Sequence, residues 1–289
     1  MGRETKRICF LGKDGTGKSI IASNISEALV RQGYQVLQIG TDISLSSTLL
    51  LRGFVDIPSV LRDYREKYAI QLKDYIIKSS TGVYCMELGS IEPGVGCLAR
   101  GISHIDEMLA GQGILEEYQI DYILYDISGG IPCTGFILPI RDGIMDQCVI
   151  VTKGEFSSLA TANSILTGIL RKGTKQNVSF LVNFADEFQT HSLLTDYAKT
   201  VKVPILAFLD TSSIMKESYL KEMTIYQANP KSHMVEVFYN IAENMIAIEA
   251  GETITPMKQQ ELLYWQQEWK KKELDYHSGV IGVDFYSNL

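Results

Sequence analysis

The stretch GKDGTGKS, Gly12 to Ser19, follows the apolar run RICFL and leads into SIIASNISEALVRQG. It satisfies G-x-x-x-x-G-K-[ST] between a strand-like and a helix-like segment, the context in which that spacing builds a phosphate cradle. Glycine amides and a helix N-terminus surround phosphate oxygens, Lys18 reaches the outer phosphates, and Ser19 holds Mg2+. Gly12, Lys13, Asp14, Gly15, Thr16, Gly17, Lys18 and Ser19 are therefore read as a nucleotide-binding P-loop. An ordinary glycine-rich turn is the bland alternative, and the strand before and helix after argue against it.

Short apolar runs recur as RICFLG, YQVLQIG, GVYCMEL, DYILYDI, QCVIVT, VSFLVNF and VPILAFL, with helix-like stretches such as FSSLATANSILTGILRKG between most of them. Runs that alternate with helices predict an α/β fold, a mostly parallel sheet with helices on both faces. Ligands of such folds bind at the carboxyl ends of the strands, where the P-loop falls. With 289 residues, the expected organisation is one P-loop nucleotide-binding domain over 1–250 and a C-terminal helical tail over 251–289. The formal net charge of −7 excludes a chain built to coat nucleic acid. MGRETKRICFLG carries no long apolar run after its charges, and no window of about twenty uncharged apolar residues follows, so a cytoplasmic, reducing location is expected.

Two carboxylates stand where P-loop chemistry needs them. Asp42 ends the run QIGTD and Asp126 ends LYDISG, so both can face Mg2+ and phosphate from neighbouring strand tips. Asp126 to Gly129 forms D-x-x-G, a spacing able to sense an outer phosphate through the Gly129 amide. A turn-capping role is the plainer reading of either aspartate.

The five cysteines divide by setting. Cys9, Cys85 and Cys148 lie inside apolar runs and read as core. Cys97, in GVGCLARG, and Cys133, in GIPCTGF, sit among glycines just past strand-like runs. Two such thiolates suit a metal, and a cubane iron–sulfur cluster wants four cysteine ligands. A two-fold dimer supplies the second pair, with a cluster on the axis joined to the nucleotide through the short segment from Asp126 to Cys133.

The stretches GKDGTGKS, GVYCMELGSIEPGVGCLARG, DISGGIPCTGFILPIR and, more loosely, MTIYQANPKS make the chain resemble the nitrogenase iron protein (dinitrogenase reductase) family, which includes the L-type subunits of dark protochlorophyllide reductase. The similarity runs from the amino terminus to about Ala250. The resemblance implies a homodimer with ATP/ADP and Mg2+ at each P-loop and one bridging [4Fe-4S] cluster held by Cys97 and Cys133. It also implies electron transfer to a separate reductase partner similar to the nitrogenase catalytic component. A lysine at the position of Lys13 is the signature of a P-loop subclass that inserts it across a face-to-face dimer. Arg100 matches an arginine used in partner docking, and Asn183 one that contacts adenine.

The chain departs from the family pattern at several positions. DISLSST puts Ser44 and Ser46 where relatives carry lysine and aspartate, Gly130 replaces an aspartate that orients water, and Tyr219 replaces an acidic nucleotide contact. These changes leave two readings: an ATP-dependent electron donor, or a nucleotide- and cluster-binding redox or regulatory module with little or no hydrolysis. A third class, the division-site and partition ATPases, shares the signature lysine and often ends in a membrane-targeting helix. In QQELLYWQQEWKKKEL, Leu262, Trp265 and Trp269 share a helical face beside Lys270, Lys271 and Lys272. Packing of that face on the body or on a partner is the favoured reading, which makes membrane binding the lesser expectation. Cluster carriers of the same superfamily are set aside because no C-x-x-C spacing occurs.

Overall fold

The computed structural model describes residues 4–67, 69–89, 98–129, 144–171, 177–249, 251 and 253–280. Eight described strands form a single sheet in the order β3-β4-β2-β5-β1-β6-β7-β8. They are β1 (Lys6–Leu11), β2 (Val36–Gly40), β3 (Ile77–Lys78), β4 (Tyr84–Glu87), β5 (Tyr122–Asp126), β6 (Gln147–Thr152), β7 (Asn177–Asn183) and β8 (Ile205–Leu209). All pairings are parallel except that of β3 with β4. Each of the seven apolar runs became a strand. The two-residue edge strand β3 went unread, being too short to show any periodicity.

The sheet is buried on both faces, and β1 shows how. Ile8 and Phe10 pack into one core and Cys9 and Leu11 into the other. Helices α1 (Lys18–Arg31) and α10 (His233–Ala247) cover the first face through Ile21, Ile25, Phe238, Ile241 and Met245. The other face is covered by α4 (Leu98–Gly111), α6 (Phe156–Leu170) and α7 (Phe188–Val201) through Ile105, Leu109, Leu166 and Val201. Double coverage explains why the strands read as continuous apolar runs and not as alternating ones. Cys9, Cys85 and Cys148 are all buried, and the register that places Cys9 opposite Cys148 brings their sulfurs to 3.3 Å.

Shorter helices complete the described chain: α2 (Leu49–Arg52), α3 (Val60–Glu66), α5 (Ile114–Glu117), α8 (Ser213–Leu220) and α9 (Ile225–Ala228). The last described helix, α11 (Gln259–His277), lies against α7. Both indole N–H groups of its tryptophans donate to one acceptor, Asp196 Oδ2, Trp265 at 2.7 Å and Trp269 at 2.8 Å. Trp269 and Leu262 are buried, and Trp265 packs on the Tyr197 ring at 5.5 Å between centroids. The approach is fixed by Asn163, whose amide pairs with both backbone groups of Met257 at 2.9 Å. The tryptophan face is thus turned to the body. Among the described residues no helix is long and apolar enough to cross a membrane.

Because Trp269 is buried and also spends its N–H on Asp196, Trp269→Ala should lower unfolding stability by about 3–5 kcal/mol in a denaturant titration. Asp196→Ala, which keeps both rings but removes their shared acceptor, should cost about 1–3 kcal/mol.

Candidate functional site

The sheet order puts β5 between β2 and β1, with Asp126 in register with Gly40 on one side and Phe10 on the other. Three strand tips therefore end together, and the P-loop leaves the middle of the sheet beside Asp126. Gly17 caps α1 in the left-handed conformation, φ 88°, with the Asn183 amide close behind it. A Cβ there would stand 2.6 Å from Asn183 Nδ2. Within the loop Thr16 Oγ1 and Lys18 Nζ both donate to the Lys13 carbonyl, at 2.8 and 3.0 Å. Lys13 Nζ reaches out to Ser157 Oγ at 2.6 Å. The Asn183 amide, assigned to adenine by the resemblance, is buried under the loop and donates to the Thr16 carbonyl at 2.9 Å.

Gly129 closes the loop from the other side. A Cβ on it would fall 2.5 Å from the Gly12 carbonyl oxygen and 2.7 Å from the Asp14 amide nitrogen, both backbone atoms. Only a residue without Cβ lets the D-x-x-G turn lie against the P-loop. Gly129→Ala should therefore displace the loop and weaken nucleotide binding by at least about tenfold in equilibrium dialysis, a cost of about 1.4 kcal/mol.

The charges here are desolvated. Lys18 is 7% exposed, and burial pulls its pKa below the ordinary lysine value while Asp126, Asp14 and Asp42 pull it back up. Asp126 is 2% exposed, and burial pushes its carboxyl above the usual range against the Ser19 and Ser47 hydroxyls and the Lys18 ammonium. Those hydroxyls stand near, yet neither oxygen of Asp126 makes an aligned hydrogen bond. Asp42 is more open. Its Oδ1 accepts from Ser44 N at 2.8 Å and from the Ser44 hydroxyl, which also lies 2.7 Å from Ser46 Oγ. Ser128 Oγ donates to Asp42 Oδ2 at 3.3 Å. The two departing serines thus form a polar chain onto the first carboxylate.

Two participants escaped the sequence reading. Thr41 stitches the tips of β2 and β5: its N and Oγ1 both donate to the Asp126 carbonyl at 3.2 Å, and its Oγ1 accepts from Ser128 N at 2.9 Å. Glu87, at the end of β4, is fully buried. Its Oε1 accepts from Thr48 N and Thr48 Oγ1, both at 2.7 Å, while Oε2 has no partner. The signal was a lone acid in the buried run CMEL. Burial pushes its pKa up to about 7, opposed by the Thr48 hydrogen bonds and by Arg52, and reinforced by Asp126.

The sign of the resulting pH dependence follows. Between the ordinary 4.5 and about 7 the folded protein holds a proton that the unfolded chain has released, so stability falls as pH rises through that window. The penalty is absent below the window and complete above it, at about 3 kcal/mol. Chemical unfolding of Glu87→Gln at pH 5 and pH 8 should show that slope removed relative to the unsubstituted chain.

Gly15, Gly17, Lys18, Ser19, Asp42 and Asp126 line one cleft of about 390 Å3, which Gly129, Phe184 and Tyr219 also border. A larger groove of about 640 Å3 lies beyond Gly15 and Phe184, floored by Trp265 and Trp269. Arg100 is exposed in the first turn of α4 and does not line the cleft. Cys97, Cys133 and Gly130 lie outside the described residues. Among the described residues no group of three or more His, Cys, Asp and Glu side chains could hold a metal.

A glycine-rich loop between the first strand and first helix of a parallel sheet, with carboxylates at adjacent strand tips, defines a P-loop NTPase fold. The chain belongs to the NifH/frxC family of 4Fe-4S iron sulfur cluster binding proteins, which matches residues 6–271. The match continues past residue 250 into α11, further than the motifs alone reach. "Nitrogenase iron protein 2" of Paenibacillus durus is 31% identical over 292 residues, covering 100% of both chains. The "Nitrogenase iron protein" of Methanospirillum hungatei is 34% identical over 83% of this chain and 88% of its own.

Among solved structures, the MinC:MinD cell division protein complex of Aquifex aeolicus superimposes with a TM-score of 0.67 at 19% identity, over 88% of this chain and 99% of that one. The septum site-determining protein MinD of Pyrococcus horikoshii, complexed with Mg-ADP, gives 0.63 at 22% identity, over 83% and 95%. These two share the fold.

Proposed function

We propose that this chain is an ATP-dependent electron donor, a homodimer that passes single electrons from a [4Fe-4S] cluster to a separate reductase partner in the cytoplasm. The observation that carries the nucleotide half is the Asp126 carboxylate: buried, without an aligned hydrogen bond, and beside the Ser19 hydroxyl and the Lys18 ammonium. A buried charge left in that state fits a hydrated divalent cation. Ser19 would hold Mg2+, with Asp126 and Asp42 facing it, and the Gly12 to Gly17 amides and Lys18 would hold the phosphates. Mg2+ would supply charge neutralisation on the phosphoryl oxygens. Lys18 must leave the Lys13 carbonyl to reach them. Lys13 must likewise leave Ser157 to act across a dimer.

Family membership supports the cluster half, with Cys97 and Cys133 as its ligands and Arg100 on the docking face. The cluster would supply one-electron chemistry. In this reading residues 1–250 carry both machineries and 251–289 form a helical tail braced on α7. A second reading, a redox or regulatory module that binds nucleotide and cluster with little hydrolysis, is favoured by the Ser44 and Ser46 chain on Asp42 and by Gly130 at a water-orienting position. Both readings bind the same ligands. They part on turnover.

Anaerobic purification should give about four irons per dimer, and the reduced EPR spectrum should change on adding MgATP. Cys97→Ala and Cys133→Ala should each abolish the iron–sulfur absorption, whereas Cys148→Ala should retain it. Equal loss in all three would sink the ligand assignment. ATP hydrolysis that rises with a reductase partner supports the donor, and its absence with binding intact favours the module.

A further inference from the structure

Glu87 is a buried acid that does not line the nucleotide cleft, and nothing in phosphate binding uses it. Sheet register places Phe10, Asp126, Gly40 and Glu87 in one row across β1, β5, β2 and β4. Gly40 has no side chain, and a Cβ there would overlap Glu87 Oε2. The Glu87 carboxyl therefore lies over β2, where it meets the segment that leaves that strand with Asp42. Its Oε1 takes both the amide and the hydroxyl of Thr48, the residue that opens α2. Arg52 braces the same segment, donating from Nε to Thr48 Oγ1 at 3.1 Å and from Nη2 to the Leu45 carbonyl at 2.5 Å. Leu45 itself has φ 55°, in the left-handed region that a bulky side chain rarely occupies. Such a residue stays there because its surroundings impose it, and it has an easier conformation open to it once those contacts change. Recruiting Asp42 to a cation draws on the same two oxygens that now hold Ser44 and Ser128.

The chain beyond Glu87 leads to α4. Leu88 gives its carbonyl to Ser59 Oγ at 2.9 Å and to Leu61 N at 3.0 Å, at the start of α3. Helix α3 in turn lies against the first turns of α4. A Cβ on Gly101 would stand 3.0 Å from Leu61 Cδ2, and the Tyr64 and His104 rings are 5.0 Å apart between centroids. Helix α4 begins at Leu98, directly after Cys97 in the sequence. The steps from Asp42 to α4 are thus all covalent, hydrogen-bonded or packed contacts between described residues.

We propose that Glu87 is a positioning residue that couples the Asp42–Thr48 segment to the start of α4, so that nucleotide state reaches the helix after Cys97 by a route separate from the segment between Asp126 and Cys133. This rests on the nucleotide and cluster reading above. The element with two arrangements is the segment around Leu45, which the cation would bias from Asp42 and which Glu87 holds at Thr48. A contact that differs between two arrangements links the sites at its ends, and by linkage the effect runs both ways.

The coupling is read as the ratio of MgATP dissociation constants between the dye-oxidised and dithionite-reduced forms of the full, cluster-loaded chain, by anaerobic isothermal titration. Unsubstituted protein should give two constants that differ by about fivefold or more. Glu87→Ala and Thr48→Val should each bring that ratio about threefold or more closer to one, while affinity in the oxidised form stays within about threefold of the unsubstituted chain. Glu87→Gln, whose amide oxygen can accept the same two Thr48 bonds, should keep the ratio. A purely structural role would shift both redox forms together and leave the ratio alone. Thr48→Val keeps the side-chain shape and the amide bond, so it reports even if Glu87→Ala does not fold. Ratios unchanged in the Ala and Val variants, or lost in Glu87→Gln, would overturn the relay. So would a ratio near one in the unsubstituted chain, with nucleotide and cluster both bound and the proposed function still standing. A chain that binds no MgATP or assembles no cluster would overturn the proposed function, and the relay with it.

Discussion

Lys18, at the start of α1, and Asp126, at the tip of β5, are buried side by side, and each one's field opposes what burial does to the other. Desolvating either one alone would cost several kcal/mol. The arrangement holds because β1 and β5 are hydrogen-bonded partners in register and because the turn after β5 can touch the P-loop backbone. That contact requires glycine at 129. The position of Asp42, the Thr41 stitch between β2 and β5 and the shape of the cleft all follow from those two strand tips lying together.

What was legible in the sequence was local. GKDGTGKS declares its own conformation through glycine spacing, and strands buried on both faces announce themselves as unbroken apolar runs. The unread features depend on partners far along the chain. Asp196 receives two indoles from 69 and 73 residues away, and Asn183 is bonded to a carbonyl 167 residues before it. Glu87 and Thr48 are 39 residues apart. Each of Cys9, Cys85 and Cys148 could be assigned to the core from its neighbours, but that Cys9 faces Cys148 depends on strand order. An acid in a buried strand marks a polar contact without naming its partner.

The departures from the family pattern acquire structure at the same site. At two positions where the resemblance expects lysine and aspartate, Ser44 bonds to Asp42 through its amide and hydroxyl, and the Ser46 hydroxyl bonds to that of Ser44. A carboxylate so engaged is steadier and less available. On the proposed reading, binding depends mainly on the P-loop amides, Lys18 and Ser19, whereas turnover depends on placing water, the role that the resemblance gives to the position of Gly130. On that reading, substitution falls on the kinetic side of the site more than on the affinity side.

The Asn183 amide beneath Thr16 has one more effect. A glycine-rich loop usually fluctuates in isolation and must be ordered by the anion it captures. This one is fastened from behind by a buried side chain and from the front by Gly129, so little ordering entropy remains to be lost on capture. Capture should then cost little more than the release of Lys18 from the Lys13 carbonyl, with the loop backbone already in place.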